Sequence, residues 1–158
     1  NLRQAASSDY NHDATEQMLV ASTLAGVAFS QTLLGNVHAM SHPVSGHYGV
    51  PHGVANAVLL PHIMDFNLIA CPGRFAEIAS ALGGDVSDLS EMEAAEAAVD
   101  AVEAMNAELG IPRDLTETGA DPEGIPVMAK DAMKSPNIQL NPRRTSIADV
   151  IALYEESF

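Results

Sequence analysis

The chain has 158 residues, nearly half of them apolar, which is enough for a hydrophobic core and excludes a disordered tail. Seven Lys and Arg face 21 Asp and Glu, a net charge of −14, and that surface repels phosphate backbones and argues against a nucleic-acid partner. No apolar run is long and charge-free enough to span a bilayer, so no membrane partner is expected, and the lone Cys71 excludes an internal disulfide.

The opening residue, Asn1, has no charged-then-apolar signal segment behind it, and the expectation is a piece of a longer protein working in the cytoplasm. Strand signals are nearly absent and alanine is abundant, so the predicted fold is all-α, a single helical domain over 1–158. The first ten residues are polar and predicted to be frayed. A helix is predicted over 13–34, with a stripe of Met18, Ala21, Ser22, Ala25, Phe29 and Leu33. A short helix over 36–45 follows, then a loop over 46–51. The next helix starts at His52 or Gly53 and runs toward Phe66. It is apolar nearly all round and is expected to be central and buried, with Pro61 kinking it or starting a new turn.

A segment over 74–82 is closed by Gly83-Gly84. Ser90 and Glu93 then form a capping-box pattern ahead of Met92, Ala95, Val99, Val102, Met105 and Leu109, which recur at helical spacing. Gly110 and Pro112 stop that helix. A short helix over 123–134 precedes a last one from Thr145 or Ser146, whose buried face is Ile147, Val150, Ile151 and Tyr154.

Four of the six histidines fall between His38 and His52, in the string HAMSHPVSGHYGVPHG. His38 and His42 are four apart and share a helix face, near enough to meet one ion or one substrate. His52 sits between Pro51 and Gly53 at a helix entry, where the helix dipole favours the neutral, lone-pair-bearing imidazole. Spacing alone leaves His38 and His42 equal candidates. Zinc and ferrous iron want more ligands than these, and nothing in the spacing selects Asp13, Asp65 or His47 to complete a site. No His-Glu-x-x-His or paired cysteines occur.

The string from Gly26 to Asn67 resembles the signature of the iron-containing (group III) alcohol dehydrogenases. The matching pieces are Gly26-Val27-Ala28-Phe29, the run Leu34 to Pro43, Pro51-His52-Gly53-Val54-Ala55-Asn56-Ala57, Leu60-Pro61-His62 and Phe66-Asn67. Gly110-Ile111-Pro112, Asn141-Pro142-Arg143 and the final helix through Tyr154 extend the likeness over essentially the whole chain. The resemblance implies a helical C-terminal domain whose N-terminal nucleotide-binding domain lies outside this chain. It implies Fe²⁺, with Zn²⁺ in some members, held by one Asp and three His. Two of these correspond to His38 and His52, and the other two lie on a helix preceding Asn1. It further implies that His42 is no ligand but lies beside the metal, near nicotinamide and substrate, as a catalytic and cofactor-binding residue. Phe29 matches a position lining the substrate channel.

The activity so implied is oxidation of a small alcohol to an aldehyde or ketone with NAD or NADP. The isolated chain is expected to be inactive, and family members are often dimers. Ser45, His47 and Asn137 depart from close relatives and bear on the substrate. The alternative from another class is a non-catalytic helical module with a weak metal site. A hydrolase built on His38, His42 and His52 would lack a carboxylate base at fixed spacing.

Overall fold

A computed structural model describes all 158 residues, as two compact units divided at 34/35, and it contains helices and no strands. The first unit holds α1 (Leu2–Ser7) and α2 (His12–Thr32). The predicted frayed start is thus corrected in part, because residues 2–7 close a short helix. The Asn11 side chain accepts the Ala14 N–H and starts α2. The expected stripe of α2 does not become a core. Of its residues only Ala14 is buried, while Leu19, Val20, Leu24, Val27 and Phe29 are exposed, as is Leu33 just past its end. Phe29, at 47 % exposure, is no core aromatic.

The second unit carries six helices: α3 (Asn36–Tyr48), α4 (His52–Leu68), α5 (Pro72–Ala81), α6 (Glu91–Glu108), α7 (Ile125–Ala132) and α8 (Ile147–Glu156). Helix α3 outruns the predicted end near Ser45. Gly46 stays helical, and the stop is Gly49, whose φ of 69° lets its N–H return to the Ser45 carbonyl. The loop expected over 46–51 shrinks to three residues, so the two helices bearing His38 and His52 meet across a tight connection.

Helix α4 is central, as its all-round apolar sequence implies. Ala55, Val58, Leu59 and Ile63 join a core with Met40 and Val44 of α3, Met128 and Ala129 of α7, and Val150, Leu153 and Tyr154 of α8. One turn later, Met64 and Leu68 join a second core with Phe75 and Ala79 of α5 and Ala95, Ala98 and Val99 of α6. Both capping boxes form, at Ser90 with Glu93 and at Ser146 with Asp149. Met92 and Ile147, read from periodicity as buried, are exposed because they sit in first turns beyond the packed faces.

Pro61 does not interrupt α4. Its missing N–H would leave the Ala57 carbonyl without a helical donor. Asn106 of α6 replaces that donor, its Nδ2 lying 2.8 Å from the Ala57 oxygen. Helix α3 contains Pro43, whose missing N–H falls on the Ala39 carbonyl. The buried Tyr154 hydroxyl of α8 donates to the next carbonyl, that of Met40, at 2.6 Å and ties α3 to α8.

Denaturant titrations check two substitutions, and thermal melts against pH check a third. Asn106→Ala is expected to cost about 1–3 kcal/mol, because it strands the Ala57 carbonyl, and Tyr154→Phe a similar ~1–3 kcal/mol. The Asp149 carboxyl is held below its ordinary range by the Ser146 hydroxyl and then by the Ser146 N–H. A depressed folded value contributes stability above the unfolded value, and this is lost as pH falls through the folded one. Asp149→Asn is therefore expected to lower the melting temperature at neutral pH and to flatten its decline in acid.

Candidate metal centre at a histidine cluster

Helices α3 and α4 bring three imidazoles to one place. The ring centroids of His38 and His52 are 5.2 Å apart, those of His42 and His52 are 5.2 Å apart and stacked, and those of His38 and His42 are 6.2 Å apart. His38 is half-buried, whereas His42 and His52 are exposed, so the cluster lies at the surface of its unit. His47 is not part of it, since its Nε2 meets Asp131 of α7 at 2.9 Å and ties α3 to α7. His62 lines a separate, smaller cleft of about 210 Å³ with Glu103 and Asn106.

The entry of α3 is built by remote polar groups. Gly35, its N-cap, has no side chain to accept the first free N–H groups. The buried Asn141 accepts the Asn36 N–H at 3.2 Å and exchanges two amide bonds with Asn67 near the end of α4, at 2.7 and 3.2 Å. A Cβ at Gly35 would lie 3.1 Å from Asn141 Oδ1, which explains a glycine there. Asn36 Nδ2 donates to Thr145 at 2.8 Å. Arg143 completes the clamp, its guanidinium 4.0 Å over the Phe66 ring and its Nη1 donating to the Phe66 carbonyl at 2.8 Å. Asn141-Pro142-Arg143 thus has a physical reason: it pins the start of α3, and with it His38, to the end of α4.

Asn56, one turn after His52, was missed in the sequence. Its Nδ2 lies 3.1 Å from His52 Nε2 and 3.4 Å from His38 Nε2. Two imidazole nitrogens that share one small donor must both aim at the same small volume. Burial, then the nearby His52 and His42, holds His38 below its ordinary pKa, which favours the neutral ring a metal requires. By the convergence of their Nε2 atoms, and for His38 by its favoured neutral form, His38 and His52 fit two positions of a divalent-metal site. No set of three His, Cys, Asp or Glu side chains in the chain is arranged to close around one ion. Beside the pair opens a pocket of about 560 Å³, lined by His38 and Asn56 and otherwise largely by apolar groups such as Val37, Ala57, Leu60 and Pro142.

Residues 1–158 match the model of the Fe-containing alcohol dehydrogenase family, C-terminal. The chain is 44 % identical over its whole length to 1,3-propanediol dehydrogenase of Klebsiella pneumoniae, of which it covers 41 %. It is 41 % identical over 156 residues to the NAD-dependent methanol dehydrogenase of Bacillus methanolicus, covering 99 % of this chain and 41 % of that protein. The crystal structure of a 1,3-propanediol oxidoreductase superposes on all of the chain with a TM-score of 0.98 at 44 % identity, again over 41 % of that protein. The chain spans about two fifths of these relatives and belongs to the Fe-containing alcohol dehydrogenase family, whose C-terminal, all-helical part it matches.

Proposed function

We propose that this chain supplies the metal-binding helical part of an NAD(P)-linked dehydrogenase that interconverts a small alcohol with its aldehyde or ketone. The observation carrying this reading is the convergence of His38 Nε2 and His52 Nε2 on one point, beside a largely apolar pocket. His38 and His52 would hold a divalent ion, Fe²⁺ in the first place and Zn²⁺ as the substitute. When bound, that ion supplies Lewis acidity that polarises an alcohol or carbonyl oxygen. The two imidazoles serve it as neutral ligands, and the half-buried position of His38 limits water on its side.

His42 stacks on His52 and is open to solvent, which suits it to pass the alcohol proton between site and water. The same position suits contact with a nicotinamide. Phe29 is proposed to line the substrate channel, for which its exposed ring is available. A nicotinamide would supply the hydride acceptor, and its binding domain is proposed to lie in the part of the protein outside these residues. NAD rather than NADP is favoured by the name of the methanol-oxidising relative. A cytoplasmic location and a homodimer complete the proposal, and no single helix is long and apolar enough to cross a membrane.

With two ligands only, the 158-residue chain is expected to hold Fe²⁺ or Zn²⁺ weakly, at micromolar affinity or worse by order of magnitude, and to oxidise no alcohol (~µM). The decisive measurement compares metal content and NAD(P)-linked alcohol oxidation for this chain and for the full-length protein. In the full-length protein, His52→Ala is expected to lose metal and turnover together, each by at least about 100-fold. A full-length protein that binds no divalent metal and oxidises no alcohol would overturn the reading.

A further inference from the structure

The carboxamide of Asn56 stands where the two lone pairs meet. Its single Nδ2 carries two N–H donors and lies 3.1 Å from His52 Nε2 and 3.4 Å from His38 Nε2. One donor for each ring nitrogen is the pattern that satisfies both contacts. It requires each Nε2 to be bare and each ring proton to sit on Nδ1. With the amide turned over, Oδ1 would face the rings and both would have to carry Nε2–H, leaving no lone pair at the two nitrogens that converge. As the structure stands, Oδ1 is buried and has no partner, so the amide's only bonds run to the two imidazoles. Asn56 and His52 are one turn apart on α4, so this donor is carried by the same helix as one of its acceptors.

We propose that Asn56 is a positioning residue that fixes the tautomers of His38 and His52, with both Nε2 lone pairs presented, and occupies the ion's place until a cation displaces it. The proposal rests on the reading of His38 and His52 as metal ligands. Two consequences follow. The pair is kept ready in the tautomer that presents both converging Nε2 lone pairs. The bonds from Asn56 also stabilise the cation-free state and must be broken on loading, so Asn56 weakens the site as an internal competitor. It differs in this from the usual outer partner of a ligating histidine, which bonds the other ring nitrogen and strengthens binding.

The test has two parts. Long-range ¹H–¹⁵N spectra of the imidazoles, recorded on the unaltered chain with chelator present and above the histidine titration range, report the tautomers directly. Both His38 and His52 are expected as Nδ1–H with a bare Nε2, and Asn56→Ala is expected to shift both toward Nε2–H. An Nε2–H tautomer at either ring in the unaltered chain overturns the proposal, and this measurement needs no variant to fold. Zn²⁺ titration of the chain then compares the unaltered protein, Asn56→Ala and His52→Ala. Loss of the competing bonds is expected to tighten Zn²⁺ binding about three- to tenfold in Asn56→Ala, and equal or weaker binding overturns the competitor role. His52→Ala separates the two ideas: if it leaves Zn²⁺ binding unchanged, the metal reading fails, while the tautomer assignment is still decided by the spectra.

Discussion

The second unit depends on α4 remaining one helix past Pro61. Ala55, Val58, Leu59 and Ile63, on both sides of Pro61, fill the core shared with α3, α7 and α8, and Met64 and Leu68, beyond it, fill the core shared with α5 and α6. A break at that point would uncouple the two cores and let the N-terminal end, which carries His52 and Asn56, swing against the rest. The proline removes a donor inside a buried helix, where an unpaired carbonyl is costly. Asn106 of α6 closes the gap from outside by donating to the Ala57 carbonyl. Ala57 itself lines the pocket beside His38, so the repair acts next to the site it stabilises.

The same logic of a remote donor or acceptor recurs at α3. Its start has no side-chain cap of its own and takes Asn141 instead, and its middle receives the Tyr154 hydroxyl at Met40. His38 stands between these two points, two residues from each. The imidazole is therefore placed less by its own helix than by groups roughly a hundred residues away in sequence (105 from Asn36 to Asn141, 114 from Met40 to Tyr154). Such a site is sensitive to the C-terminal segment. It gives Asn141, Arg143 and Tyr154 an indirect influence on the ligand pair, through the packing of α3 on α4 and α8.

Much of this was legible in the sequence because it is local. The capping boxes at Ser90 and Ser146 state their partners three residues on, and both form. The four-residue spacing of His38 and His42 and the helix start at His52 are read directly, and the three rings do meet. What was illegible depends on distant groups. Gly46 and Gly49 are equally good stop signals on paper, and only the backbone returning to Ser45 selects Gly49. The stripe of α2 has helical period, but period does not say that a partner surface exists within the chain, and its apolar residues stay exposed. Met40 is fully buried, and Tyr48 is half-buried with its hydroxyl on the Asp121 carbonyl, neither of which the helical period of α3 announces. Gly124 fits that last contact, since a Cβ there would overlap the Tyr48 hydroxyl. Asn56 falls within the family-like run after Pro51, but its role could not be read, because an asparagine within an apolar helix is chemically ambiguous until its neighbours are known.

The electrostatics of the cluster favour ligation over charge storage. Burial, then the neighbouring His52 and His42, lowers the pKa of His38, the least exposed of three rings whose centroids lie within 6.2 Å, so its neutral form is favoured. Opposing this, the chain's overall charge of −14 attracts cations of any kind to its surface. In the proposed metal site a proton and a metal ion would compete for the same nitrogens, and a neutral amide donor between them would discriminate. Asn56 can satisfy a bare Nε2 but not an Nε2–H, because a donor facing an N–H gains nothing. The amide would therefore hold both Nε2 lone pairs free, and an arriving cation would replace two amide bonds with two ligand bonds.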